Sequence, residues 1–500
     1  MNFATAMKTS AQSKLTENGA YAYKTTNQSG LLDLFAQIGA LRSRDESEIA
    51  MKFAKAYAND PLLATKMMFY AGNIRGGLGE RRTFRTCLKW MALNHADIVR
   101  KNMELIPAFN RYDSLFTLVG TPCEQDMWAY VNKTLCSDMM SVKKSQKSGK
   151  KPMISLLAKW MPSENASSNE TRKMAMKAMK AMDMTPRNYR KMLTVLRKHL
   201  KVVESLMSSG KWDEISYAGV PSYAMHNYAK AFGRHDYERF NAYIQALNKG
   251  ETKVNASVLY PYDLIQEYLS GGGYYSRINM DPIVEAQWKA LPNYVTGENN
   301  YVVMADVSGS MMTANGRPMA TSIGLAIYFA QRNKGPYHNQ YMTFTGDPHF
   351  VEIAENASLA ECVYQVKHTD VGYNTNLERA FDHILNTAVM NRVKPHDMPK
   401  ALLVVSDMEI DRYMRPGANW DFIQTMKAKF EAKGYALPKI VLWNVEARKD
   451  TFLSQSDDVI FVSGQSVSTF KNLCGTLDGK TAWDFMLEVL NDKMYDVVTI

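Results

Sequence analysis

The hydrophobic periodicity of this 500-residue chain changes once, near residue 295, and that change demands two different architectures. From Leu31 to about Leu269 apolar residues recur at helical spacing, in segments of roughly 10–25 residues. LLDLFAQIGALRSR, DESEIAMKFAKAYAND, PLLATKMMFYAGNI, RRTFRTCLKWMALNH and ADIVRKNMELIPAF follow one another across short breaks of Gly, Pro, Asn or Asp. About a dozen such helices with few strands predict stacked helix pairs of the HEAT or armadillo type. The stretches SGGGYYSR and LPNYVTGENN form the join. Beyond them the apolar runs YVVMA, QYMTF, ALLVVS, KIVLWNV and DVIFV alternate with amphipathic helices. Continuous apolar strands separated by helices predict a mostly parallel, doubly wound α/β sheet covered on both faces. TGDP, Thr345 to Pro348, reads as a hairpin turn leading into HFVEI, so one antiparallel edge strand is expected. The division predicted along the chain is a polar arm over 1–30, an all-α helical-repeat region over 31–295 and an α/β domain over 296–500.

Charge follows this division. Residues 1–300 hold 41 Lys and Arg against 27 Asp and Glu, or +14, and residues 301–500 hold 19 against 23, or −4. Such asymmetry predicts that the first part faces a polyanion. No uncharged apolar run reaches the length of a membrane span, and the first thirty residues lack a secretory apolar segment, so a cytoplasmic location without membrane contact is expected. The five cysteines are odd in number and far apart, with no C-x-x-C pair. They read as reduced thiols rather than a disulfide framework or zinc site.

In YVVMADVSGSMM an apolar strand runs straight into Asp306, and Ser308 and Ser310 follow at alternate positions. Ligands of doubly wound sheets bind beyond the carboxyl ends of the strands. Small carboxylate and hydroxyl oxygens in a tight loop there suit Mg²⁺ or another hard divalent cation. Two further strand ends offer Thr375, in GYNTNL, and Asp407, at the end of ALLVVSD. No G-x-x-x-x-G-K-[ST] loop occurs, RGGLGERR reads as an inter-helix turn, and His338, His349 and His368 are isolated. Without a base and nucleophile around the metal, no catalytic residues are assigned and the chain is expected not to be an enzyme.

The segment TPRNYRKMLTVLRKHLKVVESLMSSG opens with a Thr185 cap and Pro186, and is predicted to run as one helix to Gly210. Met192, Leu196, Leu200, Val203 and Met207 share one face of it. Arg187, Arg190, Lys191, Arg197, Lys198 and Lys201 fall within about 120° on the other. The preceding helix repeats the pattern with Lys173, Lys177 and Lys180, and KKSQKSGKK adds a basic loop. Such stripes are the footprint of phosphate-backbone binding, and Tyr189, Trp160 and Tyr112 could stack unpaired bases if exposed.

The D-x-S-x-S loop, with a later Thr and a strand-end Asp, resembles the metal-ion-dependent adhesion site of von Willebrand factor A domains. That resemblance implies that Ser308 and Ser310 ligate directly, and Asp306, Thr375 and Asp407 directly or through water. The family usually has Gly after the third-loop Asp; here SDMEID places Met408, Glu409 and Asp411 near the site. A basic helical region followed by such a domain resembles the Ro ribonucleoprotein family, whose helical part is the TROVE module. AGNIRGGLGERRTFRTCLKWM, NMELIPAFNRYDSLF and VPSYAMHNYAKAFGRHDYERFNAYIQALNKGETKVNASVLYPYDLI resemble an uncharacterised plant and viral branch with that layout. The resemblance implies a ring of helical repeats, acting as a monomer, that binds single-stranded RNA ends or small structured RNA. The basic residues named above rest on helical spacing alone. The competing expectation is an adaptor whose metal site grips an acidic protein partner, such as an ATPase or assembly factor.

Overall fold

The computed structural model describes residues 13–17, 19, 21–26, 29–200, 202–270, 278–295, 301–345, 348–369, 377–409, 422–456, 458–469 and 480–500. They form two compact units. One joins residues 1–83 to 256–496, and the other holds 84–255 with 497–500. Residues 31–83, expected to belong with the helices that follow them, therefore group with the sheet instead.

The sheet is the one the apolar runs predict. Strands β3 (Tyr301–Ala305), β4 (Gln340–Thr343), β5 (Phe350–Glu352), β6 (Ala401–Ser406), β7 (Lys439–Asn444) and β8 (Val459–Ser463) lie in the order β5-β4-β3-β6-β7-β8. All neighbours are parallel except β4 and β5, where Tyr341 faces Val351 in an antiparallel edge pair. Every residue of β3, β6 and β8 is buried, because helices cover both faces. Edge strand β5 is only three residues long and partly exposed, which blunts it against pairing with another chain. After β3 the chain passes through left-handed conformations at Ala314, Asn315 and Gly316, so the regular part of the helix Thr313–Arg332 starts near Pro318. A proline is well placed there, since its missing N–H lies among groups that a helix start leaves unpaired.

The N-terminal segment is joined to the carboxyl ends of the strands. A small hairpin, β1 (Ser13–Leu15) with β2 (Tyr21–Tyr23), leads to Tyr23, which exchanges backbone hydrogen bonds with Phe452 at 2.8 and 3.1 Å. Ser29 then caps the helix Gly30–Phe35. The turn after this helix meets the end of β8: the Gly39 N–H donates to Ser463 Oγ at 3.0 Å, and the Ala447 N–H to the Ala40 carbonyl at 2.9 Å. A Cβ on Gly39 would lie 2.5 Å from the Ser463 carbonyl oxygen and 2.8 Å from the Gly464 Cα. Only glycine allows these backbones to approach so closely.

In the other unit the long helix Glu124–Ser148 ends at Gly149 in the left-handed conformation. It packs against the helices Asn169–Ala181 and Pro186–Leu200 and the short helix Leu157–Trp160. The expected single helix over 186–210 stops at Leu200, and a separate turn of helix, Val203–Ser208, follows. The paired helices Ser222–His235 and Tyr237–Asn248 share an aromatic core of Tyr217, Phe232 and Phe240, with ring centroids 5.0–5.6 Å apart. Among the described residues no helix is long and apolar enough to cross a membrane.

Replacing Gly39 by Ala must push backbone, not a flexible side chain, out of contact. The expected loss is about 1–3 kcal/mol, measured as a fall in urea midpoint at unchanged slope, whereas Gly120→Ala, with open space around its Cβ, should show only the smaller strain of its positive φ.

Candidate functional site

Two sites follow from this architecture, one at the strand ends and one on the basic helices. At the end of β3 the Asp306 carboxylate is 2% exposed. Its Oδ1 accepts the Ser308 N–H at 2.9 Å and its Oδ2 accepts the Ser406 hydroxyl at 2.7 Å. Burial, reinforced by the nearby Asp407, pushes its pKa up to about 6. Ser308 Oγ and Ser310 Oγ stand 3.1 Å apart. Adjacent oxygens around an octahedral Mg²⁺ with bonds near 2.1 Å are separated by about 3.0 Å, so these hydroxyls fit neighbouring positions of such a shell. Among the described residues no three His, Cys, Asp or Glu side chains are grouped to hold a metal. A cation at this loop would therefore depend on serine hydroxyls and water beside Asp306. Thr375 lies outside the described residues, as does Asp411.

Asp407 differs from the expectation. It is buried, but its Oδ2 accepts the Arg448 guanidinium at 2.6 Å and its Oδ1 the Glu409 N–H at 3.1 Å. An internal cation holds the carboxylate expected to face the metal. Arg448 also pairs with Glu17 at 3.1 Å, and Glu17 with Lys449 at 3.0 Å. The Glu17 N–H donates to Glu409 Oε2 at 2.6 Å, and the Thr451 hydroxyl to Glu409 Oε1 at 3.1 Å. Beyond β7, Glu446 accepts the Ser43 hydroxyl, and burial raises its pKa. The SDMEID run pointed to Glu409. Nothing in the sequence pointed to Glu17, Ser43, Glu446 or Arg448, which come together only when residues 13–52 cover the strand ends.

The second site lies in the unit of residues 84–255 with 497–500, which holds 28 Lys and Arg against 15 Asp and Glu, or +13. The other unit has 32 against 35, or −3. Lys173, Lys177, Lys180, Arg187, Lys191 and Lys198 are exposed, as are Lys143, Lys144, Lys147, Lys150 and Lys151 at the end of the long helix and beyond it. Two members of the expected stripe are used otherwise. Arg190 pairs with Glu164 at 2.5 Å. Arg197 is half-buried and donates to the Ala158 and Met161 carbonyls and to Ser163 Oγ at 2.8–3.0 Å. It closes the C-terminal end of the short helix Leu157–Trp160, a place where a cation suits the exposed carbonyls. Lys201 lies outside the described residues. Tyr189 is fully buried with its hydroxyl on the Pro162 carbonyl, so it cannot stack a base. The Arg111 guanidinium lies 4.1 Å from the Trp160 ring centroid, and Tyr112 is half-buried.

Comparison with known proteins adds the following. Residues 300–485 match one domain of unknown function, DUF7788, and residues 16–113 and 164–298 match another, DUF2828. The uncharacterized protein L728 of Acanthamoeba polyphaga mimivirus is 30% identical over 500 residues, covering 92% of this chain and 84% of that protein. Among solved structures, the Ro (RSR) protein of Deinococcus radiodurans aligns over 92% of this chain and 93% of that one, with a TM-score of 0.38 and 14% identity.

Two outcomes are expected of these sites. The raised Asp306 pKa means that the folded metal-free protein binds this proton more tightly than the unfolded chain does. The stabilisation is present at low pH and is lost as pH rises through about 6. Asp306→Asn should therefore be more stable than wild type in chelator at pH 8, by on the order of 3 kcal/mol, with roughly half of the advantage left at pH 5 and none below about pH 4 in urea unfolding. Arg197→Gln should lower stability by about 2–3 kcal/mol, while Lys198→Gln, one residue away, changes the melting temperature little.

Proposed function

The chain belongs to the same family as the mimivirus protein L728, and we propose that it is a non-enzymatic RNA-binding protein. The observation that carries this reading is the exposed set Lys173, Lys177, Lys180, Arg187, Lys191 and Lys198. No carboxylate among the described residues pairs with any of these six. They lie on two helices that both pack on Glu124–Ser148, whose end and the residues just beyond it add five more exposed lysines, in a unit of charge +13. Cationic groups without a carboxylate partner can neutralise phosphates, and the counterions this releases from the nucleic acid supply affinity without reading sequence. Amphipathic helices of this kind bury their apolar face in the core and leave the cationic one to the ligand.

The Ro-like layout extends the reading to a ring-shaped scaffold for single-stranded ends or small structured RNA. The loop Asp306–Ser308–Ser310 would hold a divalent cation such as Mg²⁺, which supplies a positive centre for an oxygen ligand of a partner. No general base and nucleophile are assigned around it, so RNA is bound and not cleaved.

Replacing Lys173, Lys177, Lys180 and Lys191 with Gln keeps good helix formers in place and removes four phosphate contacts. The log–log salt dependence of single-stranded RNA binding should become shallower by about 2–3 units, at roughly 0.7 per contact, with different RNA sequences weakened alike. Filter binding across a salt series measures this. Wild-type affinity and slope in the variant would overturn the RNA reading in favour of the adaptor. Arg190→Gln, which loses mainly its Glu164 partner, should change the slope less than Lys191→Gln.

A further inference from the structure

The Asp407–Arg448 pair is an ion pair at the place where a divalent cation would be served. Asp407 is almost fully buried and both of its oxygens are engaged, one by the Glu409 N–H and one by the guanidinium at 2.6 Å. Among the described residues the Arg448 guanidinium pairs with two carboxylates. One terminal nitrogen meets Asp407 and the other meets Glu17 at 3.1 Å, while Nε is buried without a hydrogen-bond partner among the described residues. Glu17 belongs to the turn between β1 and β2 and is tied down by its own N–H to Glu409 and by Lys449. Asp407 thus links the strand-end site to the N-terminal hairpin through one arginine.

We propose that Arg448 is the resident cation of the strand-end site, and that a divalent ion recruiting Asp407 displaces it and releases the β1–β2 hairpin. This rests on the reading that Asp306, Ser308 and Ser310 hold such an ion, and goes beyond it by assigning the competitor. A dication within reach of Asp407 repels a guanidinium on the same carboxylate, and burial weakens the screening between them. The carboxylate cannot serve both fully. When the guanidinium leaves, Glu17 loses one of its two charge partners and keeps Lys449, and the hairpin's docking is weakened by that one ion pair while its backbone bonds to Phe452 and its hold on Glu409 remain. Ion binding and hairpin docking therefore oppose each other, and by linkage each weakens the other by the same factor.

The test is Mn²⁺ binding, by calorimetry and by the electron paramagnetic resonance of the free ion, on the full chain and its Arg448→Gln variant. Removing the competitor should tighten Mn²⁺ on the order of tenfold, within the usual range of coupling between sites. Asp306→Ala in the same background should abolish binding. Glu17→Gln, which lies outside the sheet and removes one of the two carboxylates on Arg448 together with the Lys449 pair, should shift affinity in the same direction by less. Hydrogen exchange of residues 13–23 supplies an independent readout. Mn²⁺ should raise it in wild type, whereas in Arg448→Gln it should already be raised and respond less. Equal or weaker Mn²⁺ binding in Arg448→Gln, or unchanged hairpin exchange in Mn²⁺-loaded wild type, overturns the exchange of cations while leaving the ion site standing. If Mn²⁺ binds to neither protein, the ion site itself falls, and this inference with it.

Discussion

Four carboxylates, Asp306, Asp407, Glu409 and Glu446, are buried at or just beyond the carboxyl ends of β3, β6 and β7, each no more than 4% exposed. Burying a carboxylate without partners costs several kcal/mol, so the fold has to bring hydrogen-bond donors to all four. Some come from the strand ends and loops themselves, as the Ser406 hydroxyl and Ser308 N–H do for Asp306 and the Glu409 N–H does for Asp407. Others come from far along the chain. Glu409 takes the Glu17 N–H across 392 residues, and Glu446 takes the Ser43 hydroxyl across 403. This requirement gives the N-terminal segment a physical reason to fold onto the sheet.

Once docked, the segment is locked by close backbone contact. Gly39 and Gly464 approach so nearly that neither position has room for a Cβ without movement. Charge then reinforces the contact, since Asp450 pairs with both Arg44 and Lys52. These pairs are partly exposed and contribute modestly one by one. Their effect is to hold register, because each can form only when the turn at Gly39 already lies against β8.

The two units divide the electrostatics. A charge near −3 on the sheet-bearing unit and +13 on the helical unit separates a small, buried, oxygen-rich site from a broad cationic surface. The exposed lysines carry no structural duty visible in the described residues, whereas Arg190 and Arg197 do. That difference is what makes the lysines the better marker of function: a cation already spent on a carboxylate or on helix carbonyls is less able to neutralise a phosphate and so displaces fewer counterions from the nucleic acid.

Much of the fold was legible in the sequence because it depends on local patterns. Five apolar runs with no polar alternation require a sheet buried on both faces, TGDP requires a reversal, and D-x-S-x-S at a strand end requires small oxygens in a tight loop. Those inferences use neighbours within a few residues. The helical face could be placed only approximately: Arg197 and Lys198 differ by one step of the helix, and it is the helix Leu157–Trp160 packed alongside that takes one and leaves the other in solvent. The sequence by itself determined the kinds of elements, the order of charge along the chain and the oxygen donors after β3. Tertiary structure alone decided that residues 31–83 join the sheet and that Arg448 claims Asp407, because buried charges choose partners by proximity in the packed state, and no local pattern records which distant segment will arrive.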